Sequence, residues 1–329
     1  MRKDSLGGVF YDFLDEGIMN FIEKRLQEVP FLILDGAVST EIERRGVSVS
    51  DSLWGASALE DHPGVVEAVH ESYYEAGADI VTSDSYQATV QGLTEKGYTE
   101  EESKDILRTS VALVRRAQRK YKEKSQDKRP LFAAASVGPY GAYLGNGGEY
   151  RGNYGKSVEE LKAFHRLRFS LLAEAGADVL ACETIPSFNE VKALVSLLHD
   201  WPCAMAWFSF SSVDGKHMAE GVDIGEAVRY LDREKQVVAI GVNCIDPSYG
   251  EGLIKQIKKS TEKPIIIYAN SGEVWDPKCG EWIGHAVSIG RYAEKWISAG
   301  AKIIGGCCRT TPEDVKELKE IRNRMMCKR

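Results

Sequence analysis

Long apolar runs are missing from this chain of 329 residues: no stretch approaches the ~18 residues that would read as a membrane span. No basic cluster occurs either. With 42 basic against 49 acidic side chains the formal net charge is -7, so the electrostatic footprint of a nucleic-acid binder is lacking. The opening MRKDSLGGVFYDF has charge but neither the apolar centre nor the small-residue cleavage site of a secretory signal. Cysteines number seven, an odd count in a long chain. That argues against a disulfide scaffold and for a reducing cytosol, so a soluble cytoplasmic protein is expected. No Gly-x-Ser-x-Gly elbow is present, which leaves a serine-hydrolase triad without support. No glycine-rich phosphate turn follows the first apolar run, which disfavours a dinucleotide-binding sheet.

What the chain does have is alternation. Short apolar runs at Phe31–Leu34, Ile80–Thr82, Leu131–Ala135, Val179–Ala181, Ala204–Phe208, Val237–Val242, Pro264–Tyr268 and Lys302–Ile304 read as strands. Continuous rather than alternating runs suit parallel strands covered on both faces. Helix-length segments fall between them, at Pro63–Ala76, Glu101–Tyr121, Val158–Ala175, Asn189–His199, Ile224–Asp232 and His285–Ala299. Glu-Ala-Gly-Ala-Asp occurs at Glu75–Asp79 and at Glu174–Asp178, and Ser298–Lys302 is a near copy, each a helix end with a glycine stop before the next strand. Eight such units predict an α/β fold of the (β/α)8 TIM-barrel type, a single domain over residues 30–329. Phe10, Phe13, Leu14, Ile18, Phe21, Ile22 and Leu26 recur at helical spacing, predicting an amphipathic helix over Val9–Val29 and hence an N-terminal helical extension, residues 1–29. The glycine- and tyrosine-rich stretch from Gly138 to Ser157 is expected to form an active-site loop.

In a barrel of this kind, chemistry gathers where strands finish. Those positions hold Asp35, then Ser83, Asp84 and Gln87, then Ser136, Glu183, Ser209 and Ser211, then Asn243 with Cys244, Asn270 with Ser271 and Glu273, and Cys307 with Cys308. Adjacent cysteines can hardly bridge each other, because their Cα atoms lie only ~3.8 Å apart. With Cys244 they form a trio on the sixth and eighth strands, which a closed barrel separates by a single strand. Three protein ligands with one open position is the pattern of catalytic zinc. The competing reading is that all three are small core hydrophobes. Cys182 is expected to pack, and Cys203, Cys279 and Cys327 to be structural or exposed. Asp35 and Glu183 admit two readings as well: turn and capping acids, or a pair gripping a substrate ammonium from nonadjacent strands. His70 and His165 fall in helical segments and read as packing or surface groups.

Taken together, these residues resemble the homocysteine S-methyltransferase family from Phe31 to Ile321. The motifs are LDGAVSTEIERRG, DSLW, SYQAT, SVGPYGAYLGNGGEYRGNY, ACETIP, AWFSF, GVNC, ANSGE and GGCCRTTP, in that order. The long central block is most similar to the branch that uses S-methylmethionine or S-adenosylmethionine. Ala269 stands where many relatives have proline. The resemblance implies a barrel holding Zn2+ through Cys244, Cys307 and Cys308, with Asp35 and Glu183 as the acids on the substrate amine. It also implies an oxygen ligand from Asn270 in the absence of substrate. Homocysteine and a sulfonium methyl donor are then the partners, and methionine the product. Gln87 and Asn243 are expected at the substrate, and Trp54, Tyr140 and Tyr143 around the donor's positive sulfur through cation–π contact. A selenocysteine or selenohomocysteine methyltransferase would need the same site with a softer nucleophile. A noncatalytic zinc- or redox-sensing barrel would leave the strand-end acids unexplained.

Overall fold

The computed structural model describes residues 19–49, 57–276 and 281–327. Eight parallel strands form its centre: β1 (Leu32–Ile33), β2 (Ile80–Thr82), β3 (Phe132–Val137), β4 (Val179–Ile185), β5 (Ala206–Phe210), β6 (Val237–Asn243), β7 (Ile265–Ala269) and β10 (Ala301–Gly306). A short antiparallel hairpin, β8 (Val274–Asp276) and β9 (Glu281–Ile283), lies between the last two. The sheet runs β1-β10-β7-β6-β5-β4-β3-β2, and a parallel bridge from Leu34 to Ile80 closes it. The architecture is a (β/α)8 barrel.

Alternation of side chains along each strand separates two apolar layers. Ile33, Val81, Ala135, Leu180, Phe208, Ile240 and Ile267 face the surrounding helices. Leu34, Ile80, Ala134, Ala181, Trp207, Ala239, Ile266 and Ile303 fill the barrel. Continuing the inner parity past this packed layer reaches Thr82, Ser136, Glu183, Ser209 and Asn243. All are buried polar residues at the C-terminal end of the barrel.

The repeated Glu-Ala-Gly-Ala-Asp has a structural reason. Asp79, which precedes β2, accepts the Ile33 N–H of β1 at 2.8 Å. Asp178, which precedes β4, accepts the Ala133 N–H of β3 at 2.8 Å. Each aspartate thereby satisfies a backbone donor in the preceding strand of the chain; the third copy has Lys302 instead. Glycines 77, 176 and 300 sit at positive φ (125°, 84° and 124°), as a helix stop requires.

The longer helices fall at Pro63–Ala76, Glu100–Lys124, Val158–Glu174, Phe188–His199, Ile224–Asp232, Gly250–Lys258, Gly290–Ala299 and Pro312–Met326, with shorter helical segments between. None of the described helices is long and apolar enough to cross a membrane. Two expectations need correction. The segment expected as helix from His285 becomes helical only at Gly290. The helix expected over Val9–Val29 is not continuous in its described part. Of the described residues 19–29 only Phe21–Leu26 is helical, and Asn20 caps it by taking the N–H groups of Ile22 and Glu23 at 3.0 Å each. Residues 1–18 lie outside the described part. That short helix stoppers the N-terminal end of the barrel: Ile22 is fully buried in the inner layer and the Phe21 ring packs 4.3 Å from that of Phe132.

Candidate metal and substrate site

The run Gly305–Pro312 ends β10 and starts the last helix within a few residues. Thr310 turns its hydroxyl back onto the Cys307 carbonyl at 2.7 Å. Arg309 takes the left-handed backbone at φ 68°, and Thr311, Pro312 and Asp314 form a capping box with proline at the first turn. Both cysteines are thus held on a turn fixed from each side. Cys244, one residue past β6, also adopts the left-handed conformation (φ 53°), costly for a side chain with a Cβ. Its N–H is tied to the Tyr268 carbonyl at 3.0 Å.

These two turns bring the three sulfurs within 4.8 Å of one another. Cys244 Sγ lies 3.2 Å from Cys307 Sγ and 3.5 Å from Cys308 Sγ. Tetrahedral thiolate ligation at ~2.3 Å would set sulfurs ~3.8 Å apart, so the donor set fits a soft divalent ion after small adjustments. Hydrogen bonds from Cys244 and Cys307 hold the Cys308 thiol well below the usual range. Asn270 Oδ1 accepts the Cys308 N–H at 3.2 Å and so braces the same turn.

Asp35 and Glu183 look into the mouth from β1 and β4. Asp35 is buried, with Oδ2 accepting the Thr82 N–H at 2.6 Å and Oδ1 the Thr82 hydroxyl at 3.2 Å. Burial raises its pKa well above the usual range, and repulsion from Glu183 adds to this. Burial pushes Glu183 up to about 7, against hydrogen bonds from Ser136 and Tyr268. Two buried acids that repel each other are an arrangement that a cationic group would relieve.

The stretch 138–157 folds over this mouth as a short helix (Tyr140–Leu144) and a 3-10 turn (Gly148–Tyr150). A Cβ on Gly141 would lie 2.3 Å from the Glu149 nitrogen, so only glycine lets the two turns touch. The Ser211 hydroxyl fastens the Glu149 carbonyl at 2.6 Å, and the Tyr150 hydroxyl comes within 3.1 Å of Cys244 Sγ. At the other end of the loop, Glu190 accepts the Tyr140 N–H at 2.6 Å. Glu190 also pairs with His165 Nε2 at 2.8 Å, and Arg168 donates to His165 Nδ1 at 2.8 Å and to the Gly138 carbonyl. Burial, with Arg168 beside it, lowers the His165 pKa and keeps the ring neutral. His165 is therefore a core anchor of the loop.

A profile described as homocysteine S-methyltransferase matches residues 32–322. The chain belongs to that family. It is 45% identical over 305 residues to homocysteine S-methyltransferase YbgG of Bacillus subtilis, covering 91% of this chain and 97% of that protein. It is 44% identical to selenocysteine Se-methyltransferase of Brassica oleracea var. italica, over 88% of each protein. Its structure resembles the metallated form of the homocysteine methyltransferase MmuM from Escherichia coli with a TM-score of 0.84 and 42% identity, over 91% of this chain and 99% of that one. The protein is accordingly an enzyme of the homocysteine S-methyltransferase class.

The other expected residues take varied places in the methyltransferase. Gln87 donates to the Ala142 carbonyl at 3.3 Å and links the loop to the strand ends. Asn243 is fully buried and grips Thr184, accepting its N–H at 2.7 Å and donating to its hydroxyl at 2.8 Å. Tyr140 and Tyr143 belong to an aromatic group around Phe164, their rings 4.9 and 5.2 Å from it, and the Tyr143 hydroxyl reaches Glu95 at 2.8 Å. Trp54 and Cys279 lie outside the described residues. Cys182 is buried, while Cys203 and Cys327 are exposed. Sequence reasoning missed Tyr150 and Tyr268. Tyr268 reads as one more apolar strand residue, yet its hydroxyl meets Trp207 Nε1 at 3.1 Å and Ser209 at 2.5 Å. A lone aromatic with a polar tip on the inner parity of a strand is the signal that would have found it.

Proposed function

We propose that this enzyme transfers a methyl group from a sulfonium, S-methylmethionine or S-adenosylmethionine, to the sulfur of homocysteine, giving methionine, and that Cys244, Cys307 and Cys308 hold zinc. The observation that carries the reading is the convergence of three thiols at the ends of β6 and β10 in a mouth that also holds two buried acids. Zinc bound there would supply an electrophilic position that favours a thiol in its deprotonated form. Asp35 and Glu183 take the amino group of homocysteine, which fixes the acceptor from the end opposite its sulfur. Its positive charge relieves their mutual repulsion and lets both ionise.

The remaining work of the chain is alignment and exclusion of water. A sulfonium leaves as a neutral thioether, so no side chain has to protonate the leaving group. Holding acceptor and donor in line can contribute about 7–11 kcal/mol in favourable cases. The loop 138–157 roofs the thiols, and Gln87 and Asn243 hold the neighbouring turns. Asn270 braces Cys308 and is the candidate oxygen ligand when substrate is absent. Trp54, Tyr140 and Tyr143 are proposed for the donor's side.

The test is turnover by purified protein with homocysteine and each sulfonium in turn, with zinc measured on the same sample. Methionine formation with about one zinc per chain is the expected result; methionine formation by zinc-free protein would remove the metal from the reading. Selenocysteine as a parallel acceptor decides the second reading, which the similarity to the Brassica enzyme favours.

A further inference from the structure

A methyl cation equivalent delivered beside a tri-thiolate site meets four sulfurs, three of which belong to the enzyme. Cys244, Cys307 and Cys308 lie within 4.8 Å of one another, so proximity alone does not reserve the methyl group for the substrate. All three are held through their backbones by the neighbouring strand end, Cys244 by Tyr268, Cys307 by Ala269 and Cys308 by Asn270 and Ser271. The sulfur of Cys244 has in addition a partner from a different part of the chain, the Tyr150 hydroxyl at 3.1 Å. That contact is built, not incidental. Gly141 permits the close approach that turns Glu149 and Tyr150 inward, and Ser211 pins the intervening carbonyl at 2.6 Å.

We propose that Tyr150 is a positioning residue which donates a hydrogen bond to the Cys244 thiolate and thereby protects it from methylation. The proposal rests on the zinc reading above. A thiolate lone pair engaged by an O–H donor is a weaker nucleophile, and a partner just outside the ligand set also steadies the metal. In the reaction suppressed, the Cys244 lone pair would form an S–CH3 bond as the methyl–leaving-group bond breaks, its electron pair departing with the leaving group. No proton moves. Cys244 would become a neutral thioether and a poor ligand.

Tyr150→Phe keeps the ring and deletes only the donor, so the loop should remain in place. Zinc-loaded wild type and variant are treated with methyl iodide without homocysteine, and methyl occupancy of each cysteine is read by peptide mass spectrometry. Zinc affinity is measured by competition with a chelator. The expected result is a several-fold rise in methylation of Cys244 relative to Cys307 and Cys308, with zinc affinity lowered about tenfold. An unchanged ratio overturns the proposal. Tyr154→Phe serves as the second variant, since the Tyr154 hydroxyl accepts the Gly141 N–H at 3.1 Å and holds the same loop without reaching Cys244. An equal rise there would assign the effect to loop order and also overturn it. Wild type that binds no zinc would fail the parent reading as well, a result distinct from zinc-replete wild type and variant that behave alike.

Discussion

Asn243 holds Thr184 in a left-handed backbone conformation, φ 58°, by accepting its N–H at 2.7 Å and donating to its hydroxyl at 2.8 Å. A β-branched residue does not take that conformation without compensation. Thr184 follows Glu183, so the clamp spans from β6 to β4 and sets the direction of the acid that faces the mouth. It also interrupts the pairing of β4 with β5 between Cys182 and Ile185.

Replacing Asn243 with alanine strands a buried N–H and removes the support for the strained turn. The stranded donor alone should cost about 1–3 kcal/mol, read as a lower urea midpoint. The kcat/KM for homocysteine should fall with it, because Glu183 loses its aim. Unchanged kcat/KM alongside the expected loss of stability would mean that the clamp serves the fold alone.

Glu183 gives the pH prediction. Its folded pKa of about 7 lies above the ordinary 4.5, so the folded protein holds an extra proton between those values. Stability of the substrate-free enzyme therefore falls as pH rises from about 4.5 to 7. A shift of that size corresponds to about 3 kcal/mol from this group. Glu183→Gln should flatten that slope and raise the melting temperature at pH 8. Homocysteine binding runs the other way, because the ammonium needs the ionised acid. Its kcat/KM should rise with pH through about 7, and the glutamine variant should lose a factor equivalent to about 2–5 kcal/mol. A variant that kept wild-type kcat/KM would exclude Glu183 from the amine site.

Cys244→Ala and Cys307→Ala should each lose metal and turnover together. The barrel should survive, since its two apolar layers are built from strand and helix residues, and of these thiols only Cys307 packs against the inner one. Circular dichroism with metal analysis of the same samples checks both halves. A zinc-free variant that retained full turnover would show that the thiols do not serve the chemistry.

Much of this was legible in the chain itself. Apolar runs and helical periods report local burial, which is why the eight central strands and most helices fall where the pattern predicts. Adjacent cysteines beside glycines, and acids near strand ends, drew notice to these positions, although free cysteines also serve as small core hydrophobes. Strand ends were less legible. Glu183 sits within β4 and not after it, because a barrel strand carries polar inner residues that look like the start of a loop. The role of Asn243 was hidden for a related reason: a buried amide reads the same whether it faces a ligand or a strained turn.

Sequence alone determined the alternation of strands and helices, the family, and the identities of the thiols and acids. Each follows from a residue and its near neighbours. Tertiary structure decided which distant groups meet: Tyr150 on Cys244, Asn243 on Thr184, and His165 with Glu190 under the loop. Those pairings depend on barrel closure, strand parity and the close contact at Gly141, relations in space that no local pattern records.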